Sequence, residues 1–173
     1  LIDSKTVEVK RNDGGVETLV SDKILLATGS VPVCPEMFHY DGEKVITSTE
    51  ALALKTPPKS MIVIGGGVIG CELGQFFSRM GTQITIVEMA DTILSYEDES
   101  VTKQLLRQFT REKIKVLTAS SVKDVEVQES GAVVTLSSGK TLDAEMVLLS
   151  IGRASFSKGL NLEALGIKVD SKG

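Results

Sequence analysis

Met61-Ile62-Val63-Ile64-Gly65-Gly66-Gly67-Val68-Ile69-Gly70 is the stretch that decides the fold. Its first four residues are a continuous apolar run of the kind a parallel sheet buries on both faces, and the run leads directly into glycine. A helix is expected next. Ile69, Leu73, Phe76, Phe77 and Met80 recur on one face at helical spacing, and Gly81 stands where a left-handed C-terminal cap is wanted. A lone GxGxxG is weak, because any glycine-rich turn can match it. Here Gly65, Gly67 and Gly70 follow a strand and open a helix, which is the context a dinucleotide fingerprint requires.

Each glycine has a separate physical task in that reading. Gly65 permits the tight turn, Gly67 lets the backbone approach a diphosphate, and Gly70 lets the helix pack close to the strand. The diphosphate rests on the helix N-terminus, where free N–H groups and the macrodipole favour an anion. Ile84 to Val87 is the next strand and ends in Glu88, 18 positions after Gly70. A carboxylate there accepts hydrogen bonds from the adenosine ribose and repels a 2′-phosphate. No Lys or Arg lies between Arg79 and Lys103, and Asp91 adds negative charge, so NAD is expected over NADP.

Outward from this centre, Glu97, Asp98 and Glu99 suit the positive end of a second helix carrying Val101, Leu105 and Phe109. A short strand over 114–117 follows, then strands at 122–128, 132–136 and 146–150, with Glu129-Ser130-Gly131 and Ser137-Ser138-Gly139-Lys140 as turns. The order from 61 to 150 is therefore β-α-β-α-β followed by a mostly antiparallel meander. On the N-terminal side, Val7 and Val9 alternate with charges, Asn12-Asp13-Gly14-Gly15 turns, and Val16 to Val20 runs back as a hairpin. Residues 23–27 form a short apolar strand ending at Thr28-Gly29-Ser30. Thr47-Ser48-Thr49-Glu50 has the form of a capping box, starting a short helix through Leu54 that Pro57-Pro58 closes. The fold class is α/β: a Rossmann-like βαβαβ parallel sheet with an antiparallel β-meander and an N-terminal β-hairpin.

Composition excludes several classes. The 173 residues carry 19 Lys plus Arg against 23 Asp plus Glu, a net charge of −4, and no basic block, so neither nucleic acid nor an anionic membrane surface is an expected partner. The longest apolar stretch, residues 61–71, falls well short of the ~20 residues that cross a bilayer. Cys34 and Cys71 lie 37 positions apart, which offers no CxxC pair and no zinc spacing, and a reducing compartment is expected. Cys71 reads as a small buried hydrophobe and His39, the single histidine, as structural. Glu72 follows the glycine turn, where an acid can serve simply to complement the helix dipole. The chain starts at Leu1 and stops at Gly173 in mid-pattern, which reads as a piece of a longer protein.

The blocks Ile24-Leu25-Leu26-Ala27-Thr28-Gly29-Ser30-Val31-Pro32, Thr47-Ser48-Thr49-Glu50-Ala51-Leu52, Ile64 to Gly74, Val87-Glu88-Met89 and Ser150-Ile151-Gly152-Arg153 resemble, in order and spacing, those of the flavin-dependent pyridine nucleotide-disulfide oxidoreductases. The resemblance covers nearly the whole chain and is strongest to members acting on dihydrolipoamide. It implies that Thr28, Gly29 and Ser30 touch FAD at the edge of the flavin domain. Gly65, Gly66, Gly67, Val68, Ile69, Gly70, Cys71 and Glu72 would line the NAD site. Glu88 would hold the adenosine ribose, Val122 would lie against the adenine end, and Gly152 would approach the nicotinamide. The family's acid matching Glu72 sits near the nicotinamide and pairs with a flavin-site Lys.

By the same resemblance, residues 1–30 are the terminal strands of the FAD domain, 31–59 a linker with a short helix, 60–153 the NAD-binding domain, and 154–173 the start of the return to the FAD domain. The redox-active cysteine pair, the catalytic His-Glu pair and the later FAD motif belong to parts of the family's chain that this sequence does not match. The expected partners are NAD or NADH and the missing FAD and interface domains, in a cytoplasmic homodimer, or a mitochondrial one if the source is eukaryotic. An NADPH-linked reductase, disfavoured by Glu88, an NADH oxidase or peroxidase, and a non-catalytic nucleotide-binding module remain the alternatives. One departure stands: Ala154-Ser155-Phe156 replaces the family's usual x-Pro-Asn, which bears on that loop and not on the fold.

Overall fold

The computed structural model describes residues 1–170; Ser171, Lys172 and Gly173, the end of the expected return segment, lie outside the described residues. The strands are β1 (Thr6–Lys10), β2 (Val16–Val20), β3 (Ser30–Pro32), β4 (Val45–Thr47), β5 (Ser60–Ile64), β6 (Gln83–Val87), β7 (Lys115–Leu117), β8 (Val122–Gln128), β9 (Gly131–Leu136), β10 (Thr141–Ala144), β11 (Met146–Leu149) and β12 (Arg153–Ser155). The helices are α1 (Ser48–Ala51), α2 (Val68–Arg79) and α3 (Glu99–Arg111). They divide into two compact units, one of Pro32–Gly152 and one of Leu1–Val31 with Arg153–Gly173.

In the larger unit, five parallel strands lie in the order β4-β11-β5-β6-β7, and a three-stranded antiparallel sheet has the order β10-β9-β8. The unbroken apolar run of β5 follows from its central place. Met61 and Val63 face a core with Cys71, Phe77, Ile84, Ile86 and Phe109, on the helix side. Ile62 and Ile64 point the other way, into a core shared with Val125, Val134 and Leu136 of the antiparallel sheet. Alternate residues serve opposite faces, so no polar residue is tolerated in between.

The smaller unit holds the β1–β2 hairpin, with Thr6 opposite Val20 and Lys10 opposite Val16. Asp13 Oδ1 accepts from the Gly15 N–H at 2.9 Å, and Gly14 takes φ +85°, so the predicted turn chemistry is what closes the hairpin. Strand β12 pairs with β3.

Several expectations are corrected. Residues 23–27 form no strand; they make no ladder among the described residues, and Leu25 is 89% exposed. The pairing strand comes later, at β3. Strand β4, inside the stretch expected as a linker, is fully buried and forms the edge of the parallel sheet, because it finds β11 across a gap of about a hundred residues. Strand β11 is likewise no part of the meander: it inserts between β4 and β5, while the unpredicted β10 is what pairs with β9. The capping box around Thr47 is present, but α1 ends at Ala51 and not at Leu54.

The expected faces of the long helices hold in part: Phe77 and Phe109 are buried, and Leu73 and Leu105 pack partly buried against the same core. On α2 the buried residues are Gly70, Cys71, Gly74 and Phe77, whereas Phe76 and Met80 are about half exposed. Two glycines on the inner face bring the helix axis close to the sheet. On α3, Thr102 and Phe109 are buried and Val101 is exposed. Gly81 does take the expected left-handed cap, at φ +98°.

Candidate functional site

The glycine turn lies at the C-terminal end of β5, next to the C-terminal end of β6, where a doubly wound sheet binds its ligand. Gly65 has φ +106°, and a Cβ on it would meet the Ser150 carbonyl oxygen at 2.5 Å. At Gly70 a Cβ would meet the Gly65 carbonyl oxygen at 2.1 Å. Both positions are therefore closed to any side chain. Gly67 differs: it is exposed, and no atom lies within 4 Å of where its Cβ would stand. Open space above this glycine is what the close approach of a diphosphate requires.

The start of α2 has unmet donors to offer. Thr47 caps α1 and Asp98 caps α3 with side-chain acceptors, whereas α2 begins at Gly67 with no side-chain cap and no acid in its first turn. The first N–H with a backbone acceptor is that of Cys71, which donates to the Gly67 carbonyl at 2.9 Å. The N–H groups of Val68, Ile69 and Gly70 are the usual orphans of a helix start, so this end of the dipole suits an anion. Among the described residues, the one long helix without a carboxylate or hydroxyl cap is the one the fingerprint assigns to phosphate.

Glu88 is half-buried at the end of β6, and backbone donors aim it. Its Oε2 accepts from the Gly66 N–H at 2.6 Å and its Oε1 from the Ala90 N–H at 2.7 Å. Each oxygen keeps a further lone pair for a hydroxyl donor. The Ser120 N–H donates to the Glu88 carbonyl at 2.9 Å, and this contact brings the start of β8, with half-buried Val122, toward the same end of the sheet. The residues from Ser150 run past the turn to Gly152, which is exposed at φ +131°. Ser150 and Ile151, up to 86 positions along the chain, are thus brought against Gly65.

Two predicted site residues have a different standing. Cys71 is buried, its thiol donating to the Gly66 carbonyl at 3.4 Å. Burial, followed by the charges of Glu88 and Glu72, pushes that thiol up to about 12, so it holds its proton and is no nucleophile. Glu72 is the fifth residue of α2, outside the first turn, and is exposed without a hydrogen bond among the described residues. The dipole-complement reading loses its location. Thr28, Gly29 and Ser30 belong to the smaller unit. There the Arg153 guanidinium donates to Ser30 Oγ at 2.7 Å, the Phe156 N–H to the Gly29 carbonyl at 2.9 Å, and the Thr28 hydroxyl to the Phe156 carbonyl.

Sequence reasoning gave no role to Ser150, Ala90 or Leu94. At the glycine turn Ala90 and Leu94 act through their backbone, Leu94 donating its N–H to the Gly66 carbonyl at 2.9 Å, and such roles leave no mark on residue type. Among the described residues no cluster of His, Cys, Asp and Glu is arranged to hold a metal ion. No described helix is long and apolar enough to cross a membrane.

The family model for pyridine nucleotide-disulphide oxidoreductases matches residues 1–173. The chain is 40% identical to the mitochondrial dihydrolipoyl dehydrogenase of Dictyostelium discoideum, over 97% of this chain and 36% of that protein. It is 33% identical to the soluble pyridine nucleotide transhydrogenase of Aliivibrio fischeri, over 99% of this chain and 36% of the relative. Among solved structures, LpdA from Mycobacterium tuberculosis superposes with a TM-score of 0.87 at 28% identity, covering 95% of this chain and 36% of that one. The chain thus spans about a third of the length of the proteins it matches.

Proposed function

We propose that this chain, which belongs to the pyridine nucleotide-disulphide oxidoreductase family, is the NAD-binding part of a flavin-dependent disulfide oxidoreductase, most closely a dihydrolipoyl dehydrogenase. The observation that carries this reading is the uncapped start of α2, open at Gly67 and flanked by the braced carboxylate of Glu88. NAD, when bound, supplies hydride exchange with a flavin. This chain's residues do the holding: the N–H groups at the start of α2 take the diphosphate, and Glu88 accepts from the adenosine ribose hydroxyls. Gly152 leaves the nicotinamide end uncrowded. Glu72, exposed and unpaired among the described residues, stands free to balance charge beside the nicotinamide. FAD would be met by Thr28, Gly29 and Ser30 together with parts of the protein that this chain does not include. In this reading the whole protein is a homodimer of the cytoplasm, or of the mitochondrial matrix in a eukaryote.

Calorimetric titration with NADH and NADPH tests the cofactor assignment. NADH is expected to bind at least about tenfold more tightly, because the ribose hydroxyls gain charge-assisted hydrogen bonds whereas a 2′-phosphate meets the Glu88 carboxylate. Equal or stronger binding of NADPH would overturn it. That outcome would favour a second reading as a transhydrogenase, the activity in the name of the Aliivibrio relative.

A further inference from the structure

The backbone N–H and carbonyl groups of Gly65 and Gly66 are all engaged. The Gly65 N–H donates to the Val87 carbonyl at 2.9 Å, the Gly66 N–H to Glu88 at 2.6 Å, and the Gly66 carbonyl accepts from Leu94 and Cys71. The Ile64 carbonyl accepts the Ser150 N–H at 2.8 Å. That leaves the Gly65 carbonyl, which is pressed against Gly70 and has one partner: the Ser150 hydroxyl, at 2.9 Å. The same hydroxyl lies 3.0 Å from the Ile64 carbonyl, which its own N–H already serves, so its proton is needed at Gly65.

The Gly65–Gly66 peptide is therefore held at both ends, its oxygen by Ser150 and its N–H by the carboxylate of Glu88. A peptide unit is planar, so turning one end turns the other. We propose that Ser150 is a positioning residue whose hydroxyl, acting through the Gly65–Gly66 peptide, aims the Glu88 carboxylate at the adenosine ribose. The proposal rests on the NAD-binding reading above, and it gives Gly70 a second reason to lack a side chain. A Cβ there would stand 2.6 Å from Ser150 Oγ, in the space this hydrogen bond occupies.

The test uses Ser150→Ala, Ser150→Thr, Glu88→Gln and the Ser150→Ala/Glu88→Gln double variant, with two probes: ADP-ribose, which contains the adenosine ribose, and reduced nicotinamide mononucleotide, which lacks it. Loss of this partly buried hydrogen bond is expected to weaken ADP-ribose binding by about tenfold in Ser150→Ala. Mononucleotide binding stays at the wild-type level, and Ser150→Thr, which keeps a hydroxyl, restores ADP-ribose affinity. In the Glu88→Gln background the further loss from Ser150→Ala shrinks to about twofold or less, the coupling expected of residues that act as one unit. Independently of any ligand, hydrogen exchange at the Gly66 amide quickens by about tenfold in Ser150→Ala. Unchanged ADP-ribose affinity in Ser150→Ala, equal losses for both probes, or an undiminished loss in the Glu88→Gln background would each overturn the proposal. If the wild type binds no ADP-ribose at all, the NAD reading fails instead, and the exchange rate at Gly66 alone decides whether the hydroxyl holds the peptide.

Discussion

Replacing Gly70 by Ala adds a methyl group where two oxygens already stand. The new Cβ would lie 2.1 Å from the Gly65 carbonyl oxygen and 2.6 Å from Ser150 Oγ, whereas a carbon comes to rest against a carbonyl oxygen at about 3.3 Å or more. The start of α2 must draw back from the end of β5 by about 1 Å to relieve the clash. Overpacking of this kind costs about 1 to 3 kcal/mol, and unpairing the Gly65 carbonyl adds about 1 to 3 kcal/mol. The better helix propensity of Ala returns at most ~1 kcal/mol. A net loss of about 1 to 5 kcal/mol follows, which for a chain of this size lowers Tm by roughly 2 to 20 °C. Because the retreat also moves the Val68 and Ile69 N–H groups, NADH affinity should fall by about tenfold or more. Gly74 supplies the control on the same face of the same helix, one turn on. A Cβ there would meet Ile84 and Ile86 at an ordinary 3.5 Å, so Gly74→Ala should leave NADH binding intact and hold or raise stability by about 0.5 to 1 kcal/mol. Scanning calorimetry and NADH titration of both variants check the pair. A Gly70→Ala protein that melts with the wild type, or a Gly74→Ala protein that falls as far, would refute the reasoning.

Gly67→Ala separates binding from stability. Gly67 has φ −73° and ψ −174°, a conformation any residue adopts, and its missing Cβ points into open space. Stability should change by less than ~0.5 kcal/mol while NADH affinity drops by about tenfold; a lower Tm with unchanged affinity would show that the open space is not where the diphosphate approaches. A further prediction concerns Glu112, at the end of α3. Its carboxylate accepts from Gln108 Nε2 at 2.8 Å, from Arg79 Nη2 at 2.8 Å and from Gln75 Nε2 at 2.9 Å, tying α3 to α2. These donors hold its carboxyl down to about 2. A pKa depressed by folding means that its stabilising contribution is present above the unfolded value of about 4.3 and is lost as pH falls toward 2. Thermal melts between pH 6 and pH 2 should show a smaller acid loss in Glu112→Gln than in the wild type, and identical pH profiles would remove Glu112 from the link between the helices.

The features legible in the sequence are those that neighbours along the chain determine. The strand–glycine–helix order around Gly65, the cap at Gly81, the capping box at Thr47, the Asp13 turn and the acid ending β6 each depend on a few consecutive residues and the dihedral angles open to them. The parts misread from sequence depend on distant ones. The packing of α2 is an example: Phe76 and Met80 look like core by periodicity yet stay about half exposed, while Gly70, Cys71 and Gly74 share the buried face with the expected Phe77. Leu25 is as apolar as any core residue, yet it finds no strand to pair with among the described residues and stays 89% exposed.

The sequence by itself therefore determined that a glycine turn follows β5 and opens a helix, and that a carboxylate ends the next strand, since both are written in local spacing. Only the tertiary structure decided that β4 and β11 complete the parallel sheet. It alone showed that Phe76 and Met80 stay half exposed while Gly70 and Gly74 are buried, and it brought the Ser150 hydroxyl, 85 positions along the chain, onto the Gly65 carbonyl. The reason is physical. Backbone conformation is a local property that residue types reveal, whereas strand pairing and the meeting of a hydroxyl with a carbonyl are choices among many distant candidates, settled when the chain buries its apolar surface and must pair every polar group it takes inside.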